Sequence, residues 1–143
     1  MKRFFIILLK IVLIASLFSP AYAQMKRIYK FKKVQIPFNL KHEDSIVKKG
    51  KYDLEFLKLE SQSAYYLRII KKKKFLFTIP GKQLSYKTDK DGMAQYHDPN
   101  IPENPTLKMR KDPKDKILYI IFESGKKTSI CPFIKARFKL EYE

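Results

Sequence analysis

The chain has 143 residues and a formal net charge of +17, from 31 lysines and arginines against 14 aspartates and glutamates. This length suits one domain with a hydrophobic core, and four glycines with no fixed-period repeat argue against a solenoid. The single cysteine, Cys131, excludes an internal disulfide; a buried apolar thiol, an intermolecular disulfide partner and a reactive group all stay open for it.

The first 23 residues have the pattern of a secretory signal peptide. A basic start is followed by an apolar stretch and by the small-residue ending "AYA" at positions 21–23. The apolar stretch is interrupted by Lys10 and is shorter than the roughly 20 residues that span a bilayer. We therefore predict cleavage after Ala23, a single β domain over residues 24–143, and a periplasmic or secreted protein.

Export determines which anionic partners the positively charged mature chain can meet. Without the three basic residues of segment 1–23, the mature chain keeps 28 basic and 14 acidic residues, a net charge of +14. Such a field attracts polyanions, but for an exported protein we expect no nucleic-acid partner. The expected partners are an anionic envelope polymer, lipid head groups or an envelope protein.

Alternation of apolar and polar residues, which is typical of half-buried strands, runs through the mature chain. In "VQIPFNL" it places Val34, Ile36, Phe38 and Leu40 on one face, and Pro37 predicts an edge or a bulge because it lacks an N–H. "YDLEFLKLE" changes phase, which predicts a bulge near Phe56.

Four consecutive lysines separate the next two apolar runs. The faces on either side consist of Tyr65, Leu67 and Ile69, and of Phe75, Phe77 and Ile79. We predict a hairpin with Lys72 and Lys73 at its tip, longer or less regular than a two-residue turn because no glycine supplies a positive φ. The run Lys71, Lys72, Lys73, Lys74 is either a solvated turn that protects strand edges or an anion-binding patch.

A polar segment of about twenty residues, Ser85 to Thr106, follows. Loops of this length are uncommon in compact domains unless they are functional or disordered. The segment is therefore a mobile surface excursion or a contact loop, and the residues able to bury apolar area against a partner are Met93, Tyr96 and Ile101.

The C-terminal region contains the most apolar segment of the mature chain. "KILYIIFE" is apolar or aromatic from Ile117 to Phe122, which predicts a central strand covered on both faces. We expect Ile117, Tyr119 and Ile121 on its core-facing side. The last strand alternates strictly, with Ala136, Phe138, Leu140 and Tyr142 on one face. Together the segments predict an all-β antiparallel sandwich or small barrel of about seven to eight strands.

The N-terminal part of the mature chain resembles a family of small uncharacterised secreted bacterial proteins. Their signature is an I/V-P-F-[DN]-F strand, a short polar turn and a G-x-Y-x-[VL] strand. The matching residues here are Ile36, Pro37, Phe38 and Asn39, then Gly50, Tyr52 and Leu54. The resemblance implies a β-rich fold and assigns neither an activity nor a site residue.

The sequence contains no recognisable motif for catalysis or metal binding. The two histidines, His42 and His97, have no cysteine or histidine at metal-ligand spacing, and no catalytic, metal or cofactor motif is recognised. We therefore expect no enzyme and no cofactor. The sequence favours a non-catalytic interaction module with a basic surface. The alternative is a carrier of a small apolar ligand inside a β-barrel.

Overall fold

The computed structural model describes residues 25–59, 64–84, 97–127 and 133–143, so the predicted signal peptide lies outside the described part. The described residues form nine antiparallel strands, which confirms the all-β prediction. The strands are β1 (Met25–Ile36), β2 (Leu40–His42), β3 (Ser45–Val47), β4 (Gly50–Leu59), β5 (Tyr65–Lys71), β6 (Lys74–Leu84), β7 (Thr106–Asp112), β8 (Ile117–Glu123) and β9 (Lys135–Tyr142).

The strands pair in the order β1-β4-β5-β6-β9-β8-β7. One edge of β9 is shared between two partners. Its start pairs with the end of β6, as in Gly81 opposite Phe138, and its end pairs with β2, as in Leu40 opposite Tyr142. The sheet therefore forks where β6 leaves β9.

The sheet bends back on itself around an aromatic core but does not close into a barrel. Phe56 of β4 and Phe122 of β8 stack with ring centroids 4.2 Å apart, although in a flat sheet four strand steps would separate them by about 19 Å. Phe31 of β1 contacts both rings edge-on, and Phe138 of β9 packs against Phe56. Aromatic rings from four strands thus pack against one another in the core.

Strand β8 lies in the interior of the sheet, between β7 and β9, as predicted, but with the opposite face inward. Leu118, Ile120 and Phe122 are in the core. Of the predicted set on the opposite face, Ile117 is buried, at 6% exposure, whereas Tyr119 and Ile121 are only half-buried. The prediction of the face was wrong because both alternating sets are apolar. Pairing with β9 decides between them: paired residues share a face, and Ile120 lies opposite the core residue Phe138.

A second correction concerns Phe75. Phe77 and Ile79 are buried as predicted, but the pairing of β5 with β6 shifts, because Ile69 pairs with Phe77 and Ile70 with Phe75. One extra residue in β6 turns Phe75 to the outside, where it is 53% exposed.

The predicted bulge near Phe56 lies in the partner strand. Arg27 pairs with Leu57 and Tyr29 with Phe56, so the extra residue is Ile28 of β1, while β4 pairs regularly with β5.

The strand that was predicted to run through Pro37 is divided into two strands. Strand β1 ends at the preceding residue and β2 starts at Leu40, which explains why nine strands are found instead of seven or eight.

The residues of the N-terminal signature come together at the corner between β1 and β4. Ile36 pairs with Gly50, and the Lys49 N–H donates to Asn39 Oδ1 at 2.9 Å. Tyr52 is buried in the core. These positions have a structural role at this corner.

Candidate anion-binding face

Cationic side chains gather on the outward side of β7, β8, β9 and β6. Strand pairing produces two cross-strand rows. In the first, Arg110, Tyr119 and Lys139 are neighbours across β7, β8 and β9. In the second, Lys108, Ile121, Arg137 and Lys82 are neighbours across β7, β8, β9 and β6. We call Lys82, Lys108, Arg110, Tyr119, Arg137 and Lys139 the basic face.

A groove crosses the basic face at the fork between β6 and β9. It has a volume of about 480 Å³ and is lined by Pro80, Gly81, Lys82, Tyr119, Arg137 and Lys139. Within it, the Arg137 guanidinium carbon lies 5.0 Å from the centroid of the Tyr119 ring. This cation–π contact holds the guanidinium against the sheet and limits its freedom before a ligand arrives.

Most cations of the basic face form no ion pair with an acidic side chain of the described residues. Within the described ranges, no acidic side chain forms an ion pair with Lys82, Arg110, Arg137 or Lys139. Lys108 is the exception, with its Nζ 3.4 Å from Glu123 Oε1. The face therefore keeps a positive charge that an anionic ligand can neutralise.

The outer side of β1, β4 and β5 also carries cations, and three of them form ion pairs with acidic side chains. The nearly buried carboxylate of Glu55 lies 3.4 Å from Arg27, 3.6 Å from Lys30 and 3.4 Å from Arg68. Asp53 adds a contact of 3.3 Å with Lys30. The cations of this cluster are therefore engaged in ion pairs within the protein.

Asp53 also supports the backbone of β1. The N–H of Lys33, a residue with a positive φ of 54°, donates to Asp53 Oδ1 at 3.0 Å. This hydrogen bond, with the nearby Lys30 ammonium, lowers the pKa of Asp53 below its usual value. The charged carboxylate therefore stabilises β1 where its pairing with β4 shifts a second time, between Phe31 and Val34.

The predicted lysine hairpin is present, with a tighter turn than expected. Lys71 pairs with Lys74, and Lys72 and Lys73 form a two-residue tip with φ values of 48° and 66°. All four side chains are exposed, and Lys71 Nζ lies 5.1 Å from the ring centroid of Tyr52. The tip lies about 25 Å along β6 from Lys82, so the structure does not bring the lysine run together with the basic face.

The remaining predicted contact residues belong to the segment between β6 and β7. Met93 and Tyr96 lie outside the described residues, as does Cys131. Ile101 is only 2% exposed, so its apolar area is already buried by its own chain. Next to it, the Lys126 N–H donates to the carbonyl of Pro102 at 2.9 Å, which holds this part of the segment in place.

The histidines show no common site. His42 stacks on Phe77 with centroids 4.2 Å apart, and His97 is exposed. In the described part of the chain, no group of three histidine, cysteine, aspartate or glutamate side chains is arranged to hold a metal ion.

Comparisons with known protein families, with curated proteins and with solved structures find no match to this chain. Among the described residues, no helix is long and apolar enough to cross a membrane.

Sequence reasoning did not identify the basic face. One sign was available, since the strict alternation of the last strand places Arg137 and Lys139 outward together. Their grouping with Lys82 and Tyr119 depends on which strands are neighbours and in which register. Alternation within a strand does not contain that information.

Proposed function

We propose that this protein is an exported, non-catalytic binding module that holds an anionic polymer of the cell envelope on its basic face. The observation that carries the proposal is the grouping of Lys82, Arg110, Arg137 and Lys139 on one side of the sheet, without acidic partners among the described residues. The net charge of +14 that the chain keeps after cleavage, from 28 basic and 14 acidic residues, adds a long-range attraction for such a ligand.

The spacing of the cations suits a linear ligand. Neighbouring strands are about 4.8 Å apart, and residues two apart on one strand are separated by about 6.7 Å. An extended polyanion lying across the strands would meet Lys108, Arg137 and Lys82 in succession, with Lys139 and Arg110 in the parallel row. Each exposed ion pair contributes only about 0.2–1 kcal/mol, so binding would depend on several contacts made together.

The filled core favours a binding module over a carrier. Phe56, Phe122 and Phe138 pack against one another at the centre of an open sheet. A carrier would need an enclosed apolar cavity, whereas the groove on the basic face is open to solvent and has Lys82, Arg137 and Lys139 in its lining.

The cellular location is part of the proposal. Cleavage after Ala23 would release a chain that begins at Gln24, in a periplasm or outside the cell. The intact mass of the exported protein tests this directly. A mass that includes residues 1–23 would contradict export by signal-peptide cleavage.

The binding proposal is tested with inorganic polyphosphate, a linear polyanion without bases or apolar groups. In one variant Lys82, Arg137 and Lys139 are changed to Gln. In the matched control the same charge is removed from three other exposed lysines without ion pairs in the described ranges, Lys48, Lys49 and Lys114. Calorimetric titration at low and at physiological salt measures the affinity of each protein.

We expect the face variant to bind roughly 3- to 150-fold more weakly than the unchanged protein, from three lost ion pairs of the usual strength. The control should change much less, and added salt should weaken all binding because exposed charges are screened. Equal losses in the two variants would show that the whole surface attracts anions diffusely and would overturn the assignment to the basic face.

A further inference from the structure

The tip of the β5–β6 hairpin combines a cluster of positive charge with an exposed aromatic ring. Lys71, Lys72, Lys73 and Lys74 are all exposed, and the shift in pairing beside them turns Phe75 to the outside. Phe75 is 53% exposed, the largest exposed fraction among the exposed large hydrophobic residues of the described chain. We call residues 71–75 the hairpin tip.

The position of the Phe75 ring is defined by its neighbours. The guanidinium carbon of Arg68, on the adjacent strand, lies 5.6 Å from the ring centroid. Arg68 also contacts Glu55 at 3.4 Å on the outer side of the sheet. The ring is therefore held on this outer side, next to the lysines and away from the core.

Lysines and an exposed aromatic ring suit different layers of a bilayer surface. Lysines are attracted to negatively charged head groups, and aromatic rings occupy the boundary between head groups and acyl chains. A soluble polyanion would use the lysines but would leave Phe75 in water. The charge and the ring together therefore favour a lipid surface over a free polymer.

We infer that the hairpin tip docks the protein on an anionic lipid bilayer, with Phe75 inserted at the boundary between head groups and acyl chains. This inference does not depend on the function of the basic face. Lys74 and Lys82 lie at opposite ends of β6, about 25 Å apart along the strand, so the two surfaces can be changed separately.

The chain contains no tryptophan, so a single introduced tryptophan reports on its own surroundings. Phe75→Trp places the probe at the hairpin tip. Ile46→Trp places it at another exposed apolar position, 52% exposed on β3, as a matched control. Each protein is mixed with vesicles of phosphatidylglycerol and phosphatidylcholine, or of phosphatidylcholine alone, and its emission spectrum is recorded.

We expect anionic vesicles to shift the emission of the tryptophan at position 75 to shorter wavelengths. The tryptophan at position 46 should show no shift, and neutral vesicles should affect neither protein. Binding without a shift at position 75, an equal shift at both positions, or no binding would each overturn the inference. The same shift with inorganic polyphosphate would assign the hairpin tip to soluble polyanions and would also overturn it.

Two further variants test the parts of the hairpin tip. Changing the four lysines to Gln in the Phe75→Trp protein should weaken vesicle binding by up to about fivefold per lysine. Changing Phe75 to Ser in the original chain should weaken it about tenfold, as measured by vesicle sedimentation. Full affinity in both variants would contradict the inference.

The basic-face variant separates this inference from the proposed function. With Lys82, Arg137 and Lys139 changed to Gln, the emission shift at position 75 should persist. Its loss would place the lipid contact on the basic face. Circular dichroism of each variant checks that the β structure is retained, so that a loss of binding is attributed to the surface that was changed.

Discussion

The ring of Phe138 lies directly against the Cα of Gly81, its partner across β6 and β9. A Cβ built on Gly81 would come within 2.8 Å of both Cδ1 and Cζ of this ring. The ring itself is 1% exposed and belongs to the core. Glycine at this position therefore lets an aromatic side chain of β9 cover the neighbouring strand at the fork of the sheet.

Replacing Gly81 by Ala should lower the free energy of unfolding by about 1–3 kcal/mol, because the new methyl group overpacks the core. Urea denaturation measures the loss. A second replacement, Phe138→Leu, should recover part of the Gly81→Ala penalty in a double-mutant cycle, although it is destabilising by itself. An unchanged denaturation midpoint for Gly81→Ala would show that the ring does not occupy this place.

The orientation of β8 predicts opposite outcomes for two neighbouring residues. Ile120 is fully buried in the core, so Ile120→Ala should lower the free energy of unfolding by about 2–5 kcal/mol. Ile121 is half-buried on the outer side, and Ile121→Ala should reduce it by about 1 kcal/mol or less. A larger loss for Ile121→Ala would restore the face that the sequence predicted.

The hairpin tip offers a stabilising substitution. Lys72 and Lys73 both have positive φ, a conformation that side chains with a Cβ adopt at a cost. Lys72→Asn with Lys73→Gly supplies the pair that such two-residue turns prefer, and we expect a gain in stability of about 1–2 kcal/mol. In the control, both lysines become Gln, which removes the charge but keeps the strain and should leave the denaturation midpoint nearly unchanged.

The pKa of Asp53 predicts a dependence of stability on pH. Since its folded-state pKa lies below the ordinary value of 3.8, its contribution is present above that pH and is lost as the pH falls through the folded-state value. Asp53→Asn should therefore be less stable than the original chain at pH 7, and this difference should shrink below pH 3.8. Urea denaturation of the two proteins at pH 7 and below pH 3.8 measures the difference in their free energies of unfolding. The same difference under the two conditions would show that the charge of Asp53 is not involved.

The strand content could be predicted from alternation alone, and so could the inward face of β9, where only one alternating set is apolar. In β9, Ala136, Phe138 and Leu140 are buried as their alternation predicted, and the hairpin lies at Lys72 and Lys73. These features are local, because period-two alternation specifies which side chains of one strand share a face.

Three features could not be predicted from the sequence, because they depend on how distant strands pair: the face of β8, the exposure of Phe75 and the composition of the basic face. Both alternating sets of β8 are apolar, so the choice depended on pairing with β9. One extra residue in β6 reversed Phe75, and Lys82 joined Arg137 through the fork of the sheet. Neighbouring strands and their register are set by long-range packing, and a shift of one residue moves a side chain to the other face.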